Sequence, residues 1–297
     1  MKRKPMIERY RDQEARRNAM GPMGRDFHKR YMKPFNMWGN LWYVGDNWCS
    51  SYIVDTGEGL LMLDAGCPAG AIAMTIQTIW EAGFNPRDVK WLVLDHEHID
   101  HIGAAGFMQK MFGTKLVMSQ AAAQTMREHP EWTGLQDSSD CFDEVFVPDI
   151  TVTEGEILHF GKVTMEFKMA PGHMPGAMAM FFNLEDGEET RRAGFFGAHG
   201  VNTITNEYLD EIGDHDRVTR QVFLESCRRM RQEKVDIFVS GHTGMNKILA
   251  KLEQWKENPE VNPFDNPENW NIFFDNKIAE IEAFIKDPTR GFKYGVG

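Results

Sequence analysis

Apolar residues recur along this chain in two rhythms, and their alternation sketches the elements before any chemistry is considered. SSYIVDT (50–56) and GLLMLDAG (59–66) read as strands, joined by a turn through Gly57 and Gly59. AGAIAMTIQTIWEAGF (69–84) is apolar at helical spacing and closes at Gly83. WLVLD (91–95) predicts a short buried strand, IGAAGFMQKMFG (102–113) a helix and KLVMS (115–119) a strand. AAAQTMREHP (121–130) then predicts a helix stopped by Pro130. The middle changes character. EVFVP (144–148), ILHF (157–160), KVTMEFKMAPG (162–172) and AMAMFFNLED (177–186) read as strands, with a hairpin turn expected in EDGEET (185–190). DRVTRQVFLESCRRMRQEK (216–234) predicts a helix leading into the strand VDIFVSGH (235–242), and 266–287 an amphipathic helix.

Strands then helices, followed by strands then helices again, imply two similar halves, each a sheet covered by helices. Residues 1–33 are polar and charge-rich and read as an N-terminal arm with some helix. The packed domain is expected to run from PFNMWGNLWYVG (34–45) to the C-terminus, 34–297.

Composition narrows the function classes. The chain has 297 residues, 42% of them hydrophobic, enough to bury a large core. Its net charge of −11 repels phosphate backbones, which argues against a nucleic-acid partner. No window reaches the length of unbroken apolar sequence that a membrane span needs, and the basic N-terminus lacks an apolar signal region. A cytoplasmic protein acting on a small molecule is the expectation. Cys49, Cys67, Cys141 and Cys227 lie far apart with no CxxC, so they read as free thiols.

The candidate chemistry lies in HEHIDH, 96–101, directly after the strand WLVLD. His96 and His98 are two apart, so in extended backbone both imidazoles reach one ion. Asp100 and His101 can turn toward a second ion, while Glu97 and Ile99 face away. Imidazole and carboxylate are good zinc ligands. His173 in MAPGHMPG and His242 in FVSGHTG each follow a strand-like run and sit beside glycine, a placement that aims a ligand into a cleft. His28, His129, His159 and His215 have no ligand-like neighbours and read as ordinary polar residues.

The HxHxDH pattern, the later PGH and the late SGH together resemble the metallo-β-lactamase superfamily. VDTGEGLLMLDAG (54–66) fits the same resemblance, with Asp64 as the aspartate that supports the metal cluster. The resemblance implies an α+β fold, a four-layered αβ/βα sandwich with the metals at one edge between two sheets. It implies two Zn2+, one held by His96, His98 and His173 and the other by Asp100, His101 and His242. PFNMWGNLWYVG, GHMPG and the long C-terminal helix look most like the third subclass of β-lactamases, which lacks the metal-binding cysteine of the other two.

Two departures stand out. Most hydrolases of the superfamily carry a metal-bridging aspartate after the PGH, whereas FFGAHG (195–200) has none, and His199 falls close to that position. His199 is either an extra ligand or a loop histidine that lines the cleft. Asp95 stands where the family usually has threonine or serine. It could receive a ligand's other ring N–H or cap the loop.

In such a site two zinc ions sharing a water lower its pKa toward neutrality. The expected reaction is hydrolysis of an amide, lactam, lactone or ester, with Asp100 ligating and orienting the nucleophile. Relatives that carry one Fe2+ and oxidise persulfides provide a second reading, and a thioesterase of the same fold a third. For the substrate pocket, Trp48, Cys49, Asn202 and Asn206 are candidates. Trp38, Trp42, Thr203 and Tyr208 lie nearby in sequence and read equally as core or polar loop residues, and Cys49 as a small buried residue.

Overall fold

The computed structural model describes residues 27–67, 70–133 and 146–287, with the single positions 7 and 289. Twelve strands among these form two sheets. The first contains β1 (Phe35–Trp38), β2 (Leu41–Tyr43), β3 (Tyr52–Asp55), β4 (Leu60–Leu63), β5 (Val89–Val93), β6 (Lys115–Ser119) and β7 (Ile150–Val152), side by side in chain order. The second contains β8 (Ile157–Phe160), β9 (Val163–Met169), β10 (Met178–Asp186), β11 (Glu189–Phe196) and β12 (Ile237–Ser240), again in sequence order across the sheet.

Period-two alternation decides which side chains meet. Val54, Leu61, Leu63, Val93 and Val117 point from the first sheet toward Phe167, Met178, Met180, Phe182 and Phe195 of the second, in one central cluster. Ile53, Met62, Leu92, Leu116 and Met118 face the other way. There they meet α1 (Ala71–Glu81), α2 (Ile99–Ile102), α3 (Ala105–Phe112) and α4 (Gln120–Glu128). The far face of the second sheet, through Ala179, Phe181 and Phe238, packs on α6 (Val218–Arg231) and α8 (Glu268–Lys286). Helices, sheet, sheet, helices: the expected four-layered αβ/βα sandwich is present. The short α5 (Asn206–Glu211) and α7 (Ile248–Glu257) complete the elements.

Strand direction positions the site. β4, β5, β6 and β7 run parallel. β9 and β11 both run antiparallel to β10, and β12 runs parallel to β11. The loops after β4, β5, β9, β11 and β12 therefore emerge at carboxyl ends, where α/β sheets gather ligands. Cross-links hold the two sheets together at this edge. The Tyr52 hydroxyl donates to the Ser240 carbonyl at 2.9 Å, and the Ser50 N–H to the Gly241 carbonyl at 2.9 Å.

Most sequence expectations for elements hold. KLVMS is β6 to the residue, and the hairpin turns through Gly187 and Glu188 between Asp186 and Glu189. Three differ. The described residues of EVFVP, 146–148, are not a strand, and β7 begins at Ile150 instead. Pro148 has no N–H for a ladder, and Phe146 drops into the core beside α3 and α4. The helix expected over 102–113 is two, α2 and α3, broken at Gly103 and Ala104. Helix α7 was not expected, although Ile248, Leu252 and Trp255 carry a helical spacing. Residues of the expected arm pack on the domain: Met32 joins the central core, and Arg30 is buried 3.4 Å from Asp46. Among the described residues no helix is long and apolar enough to cross a membrane.

Candidate metal centre

HEHIDH changes backbone state partway through, and this lets it address two places. His98 is still extended (φ −70°, ψ 146°) and precedes α2, which carries Asp100 and His101 in its single turn. His96 leaves from the bend that follows β5 and His98 from extended chain, while Asp100 and His101 leave from a helical turn.

His96, His98 and His173 bring one ligand atom each within 4.8 Å of one another. His96 Nε2 lies 3.2 Å from His98 Nδ1. Beside them, His101 Nε2 lies 3.1 Å from His242 Nε2, and Asp100 Oδ2 lies 3.4 Å from His242 Nε2 and 3.9 Å from His101 Nε2. The structure thus brings together all six residues singled out from the sequence, in two adjacent groups of three. His173 and His242 arrive from the second sheet, 72 and more positions beyond the motif.

In four of the five histidines the other ring nitrogen is tied to an oxygen acceptor. His96 Nδ1 lies 2.7 Å from Asp95 Oδ1, and His101 Nδ1 lies 2.6 Å from Asp64 Oδ2. His173 Nδ1 donates to the Gly200 carbonyl at 2.8 Å, with the Thr203 hydroxyl at 3.2 Å, and His242 bonds the Trp48 carbonyl. These bonds fix the ring orientations and turn the other nitrogen of each of these rings inward. Asp64 is held in the left-handed region at φ 55°, which an aspartate tolerates better than most residues. Its other oxygen accepts the Asp95 N–H at 3.0 Å, so one carboxylate spans the ends of β4 and β5 and α2.

The electrostatics suit a cation. Burial lowers His96 and His242 to about 4 and His98 to about 3, keeping them neutral, as ligands must be. Burial also takes His173 well below the ordinary range, with His98 adding to it. Burial opposes charge on Asp100, but His101, His242, His98 and His96 outweigh it and hold the carboxyl ionised. Burial also works against charge on His101. There Asp95, Asp100 and Asp64 outweigh it, so His101 keeps its proton well above the usual pH. The proton it retains faces a bare His242 nitrogen and stands where a metal cation would stand. One positive centre bridges the two inward nitrogens at 3.1 Å, the proton of His101 here or a metal ion when bound. The donor set therefore fits divalent metal.

Glu97 does face away. It is buried, accepts the Gly176 N–H at 3.2 Å, and is pushed up to about 7 by burial. Asp95 is buried against His96 and His101, and among the described residues no loop N–H donates to its carboxylate. His199 stands near the second group, its ring centre 4.8 Å from that of His242, with Nδ1 donating to the Gly197 carbonyl at 3.0 Å. No metal-capable group among the described residues includes it.

The pocket candidates separate. Trp48 stands at the site, its ring centre 5.9 Å from that of His242. Trp38 belongs to the central core, and Trp42 packs on Phe84 beside the outer helices. Asn202 opens the turn Asn202–Ile204 next to Gly200. Asn206 Oδ1 instead accepts from Arg220 at 2.9 Å, a bond that anchors α5 to α6. Thr203 serves His173, and the Tyr208 hydroxyl donates to the Met174 sulfur at 3.8 Å. His129 stacks on Trp132, His159 meets Thr164 and His215 lies by Asp210, all away from the cluster. The side chain of His28, like Cys141, lies outside the described residues.

Sequence reasoning missed the glycines that let the two sheets close on the site. A Cβ on Gly197 would stand 2.4 Å from Asp95 Oδ2 and 3.1 Å from His101 Cε1. A Cβ on Gly241 would stand 2.5 Å from the Gly197 Cα. The GH and FG pairs in FFGAHG and SGHTG were the available signal. Gly197→Ala should cost about 1–3 kcal/mol of stability, because its neighbours are buried and cannot give way. Thermal unfolding of the variant reads this directly. An unchanged melting temperature would mean that the contact is looser than the geometry shows.

The Metallo-beta-lactamase superfamily matches residues 44–242 of the chain. The protein belongs to that superfamily, a class of β-lactamase-like, metal-dependent hydrolases. Its fold is similar to that of BJP-1, a subclass B3 metallo-β-lactamase of Bradyrhizobium japonicum. The TM-score is 0.75 at 22% identity, covering 88% of this chain and 96% of that one. Among curated proteins, it is 31% identical over 131 residues to the hydroxyacylglutathione hydrolase GloC of Haemophilus influenzae, 42% of this chain and 57% of that protein. It is 29% identical over 108 residues to the exodeoxyribonuclease WalJ of Streptococcus pneumoniae, 36% of this chain and 38% of that protein. The matches span at most about three fifths of the first of these relatives.

Proposed function

We propose that the protein is a dizinc hydrolase that cleaves the acyl bond of a small molecule: an amide, lactam, lactone or ester. The observation that carries this is the pair of adjacent donor groups, His96/His98/His173 and Asp100/His101/His242, with the outward nitrogens of His96, His101, His173 and His242 tied to oxygen. Bound there, zinc would polarise a carbonyl and acidify water toward neutral pH. Asp100, held ionised among four histidines, would ligate the second ion and orient the attacking water. Asp64 and Asp95 hold His101 and His96 in the ligating tautomer. Trp48, beside His242, offers an apolar wall to the substrate. No serine or cysteine nucleophile is needed. A net charge of −11 disfavours a DNA substrate, whatever the superfamily also contains.

A panel of lactams, lactones, esters and thioesters, run beside single- and double-stranded DNA and glutathione persulfide, tests the reading. Hydrolysis within the acyl set, lost on chelation and restored by Zn2+, supports it. Oxygen uptake with the persulfide and one bound iron would replace it with the dioxygenase reading, and cleavage confined to DNA would replace it with a nuclease.

The supporting carboxylate has its own expected effect. Asp64→Asn keeps the shape but weakens the charge on His101 Nδ1. Zinc affinity should fall roughly 10–100-fold, as for other partners of metal-ligating histidines. Competition with a chromogenic chelator measures it, and unchanged affinity would remove Asp64 from the supporting role.

A further inference from the structure

We propose that Cys49 supplies a sulfur donor to the second metal position, alongside Asp100, His101 and His242. The inference rests on the two-metal reading and adds a ligand to it. The Cys49 sulfur, an Asp100 carboxylate oxygen and a His242 ring nitrogen all lie within 4.8 Å of one another. Two of those three atoms belong to residues that also converge on His101 Nε2, at 3.1 and 3.9 Å. The sulfur therefore borders the same small volume.

The chain builds this approach deliberately. Asp46 Oδ1 accepts the backbone N–H groups of Trp48 at 2.8 Å and Cys49 at 2.6 Å, folding the loop into a tight turn. Gly45 lets that turn close, since a Cβ there would stand 2.4 Å from the Ser51 nitrogen. Cys49 then pairs with His242 as an isolated antiparallel bridge, flanked by Ser50 N–H to the Gly241 carbonyl at 2.9 Å and Thr243 N–H to the Trp48 carbonyl at 3.1 Å. These two backbone hydrogen bonds hold Cys49 beside His242. Cys67 and Cys227 are equally buried, yet neither enters any metal-capable group among the described residues.

Ligation takes the thiolate: the S–H proton leaves to solvent as the sulfur–metal bond forms, with no change of oxidation state. A sulfur donor makes the second position softer than a site of only nitrogen and oxygen, so it favours Zn2+ or Co2+ over harder ions. With four protein donors it is also nearly closed, which leaves the first position, with three histidines, as the one with room for substrate.

Titration of the chelator-stripped, full-length protein with Co2+ tests this by absorption and needs no substrate. The second equivalent should bring a sulfur-to-cobalt charge-transfer band in the near ultraviolet. The band should vanish in Cys49→Ser and persist in Cys67→Ser and Cys227→Ser. Zinc-edge X-ray absorption of the unsubstituted protein gives the same answer without relying on a variant that folds, through a sulfur shell near about 2.3 Å. Two bound equivalents with no charge-transfer band and only nitrogen and oxygen neighbours would overturn the Cys49 assignment and leave the two-metal reading standing. A single bound equivalent would overturn both.

Discussion

Replacing His101 with alanine should lower turnover of any substrate found for this protein by at least about 100-fold. Loss of a partner one step removed from a metal costs roughly 10–100-fold, so loss of a direct donor should cost no less. His101 is also more than a donor. Its Nδ1 binds Asp64 at 2.6 Å and lies 3.2 Å from Asp95, so the alanine variant leaves two buried carboxylates without their shared partner. Burial and Asp95 already push Asp64 up to about 8, and with His101 gone only the Asp95 N–H opposes that push, so Asp64 should hold a proton more firmly. The variant should therefore fail even at high zinc concentration. Steady-state kinetics across a zinc titration checks this. Recovery of full turnover by excess zinc would reduce His101 to a simple affinity residue, and full turnover without added zinc would remove it from the reaction.

The second large effect concerns the scaffold. Trp270 of α8 is fully buried, with ring centres 4.6 Å from Phe274, 5.3 Å from Phe238 and 5.7 Å from Phe181. Its indole N–H donates to the Met230 carbonyl at 2.8 Å, tying α8 to the end of α6. Trp270→Ala should cost about 3–5 kcal/mol from the lost packing and the cavity. The deserted carbonyl adds about 1–3 kcal/mol where water does not reach it. The denaturant midpoint should fall without a change in slope. A shift worth less than about 1 kcal/mol would mean that α8 is not a structural part of the second half.

Much of the site was legible because metal chemistry leaves short, dense signals. HEHIDH shows two histidines at strand spacing and an Asp–His pair directly after them, and the structure gathers all four side chains in one place. His173 and His242 were legible through their glycines. What stayed hidden depends on long-range closure. Gly197 and Gly241 look like any loop glycine until two sheets press Asp95 and His101 against them. Cys49 lies 193 positions before His242, and only a bridge between separate sheets makes them neighbours. The three tryptophans at 38, 42 and 48 read as one cluster, yet strand alternation and a turn send them to the central core, the outer helices and the site. For the elements, short apolar runs such as KLVMS, buried on both faces, located themselves. EVFVP misled because composition suggested a strand while Pro148 denied it the ladder. Asn206 shows the same limit for polar residues. An amide near a site can serve substrate or scaffold, and here Arg220 engages it.

Calorimetric titration of the stripped protein with Zn2+ tests the central claim most directly. The result expected is two equivalents bound by the unsubstituted chain, with the second bound much more weakly by His101→Ala and the His96/His98/His173 position unchanged. A single equivalent in the unsubstituted chain, or unchanged affinity at both positions after loss of His101, would contradict it.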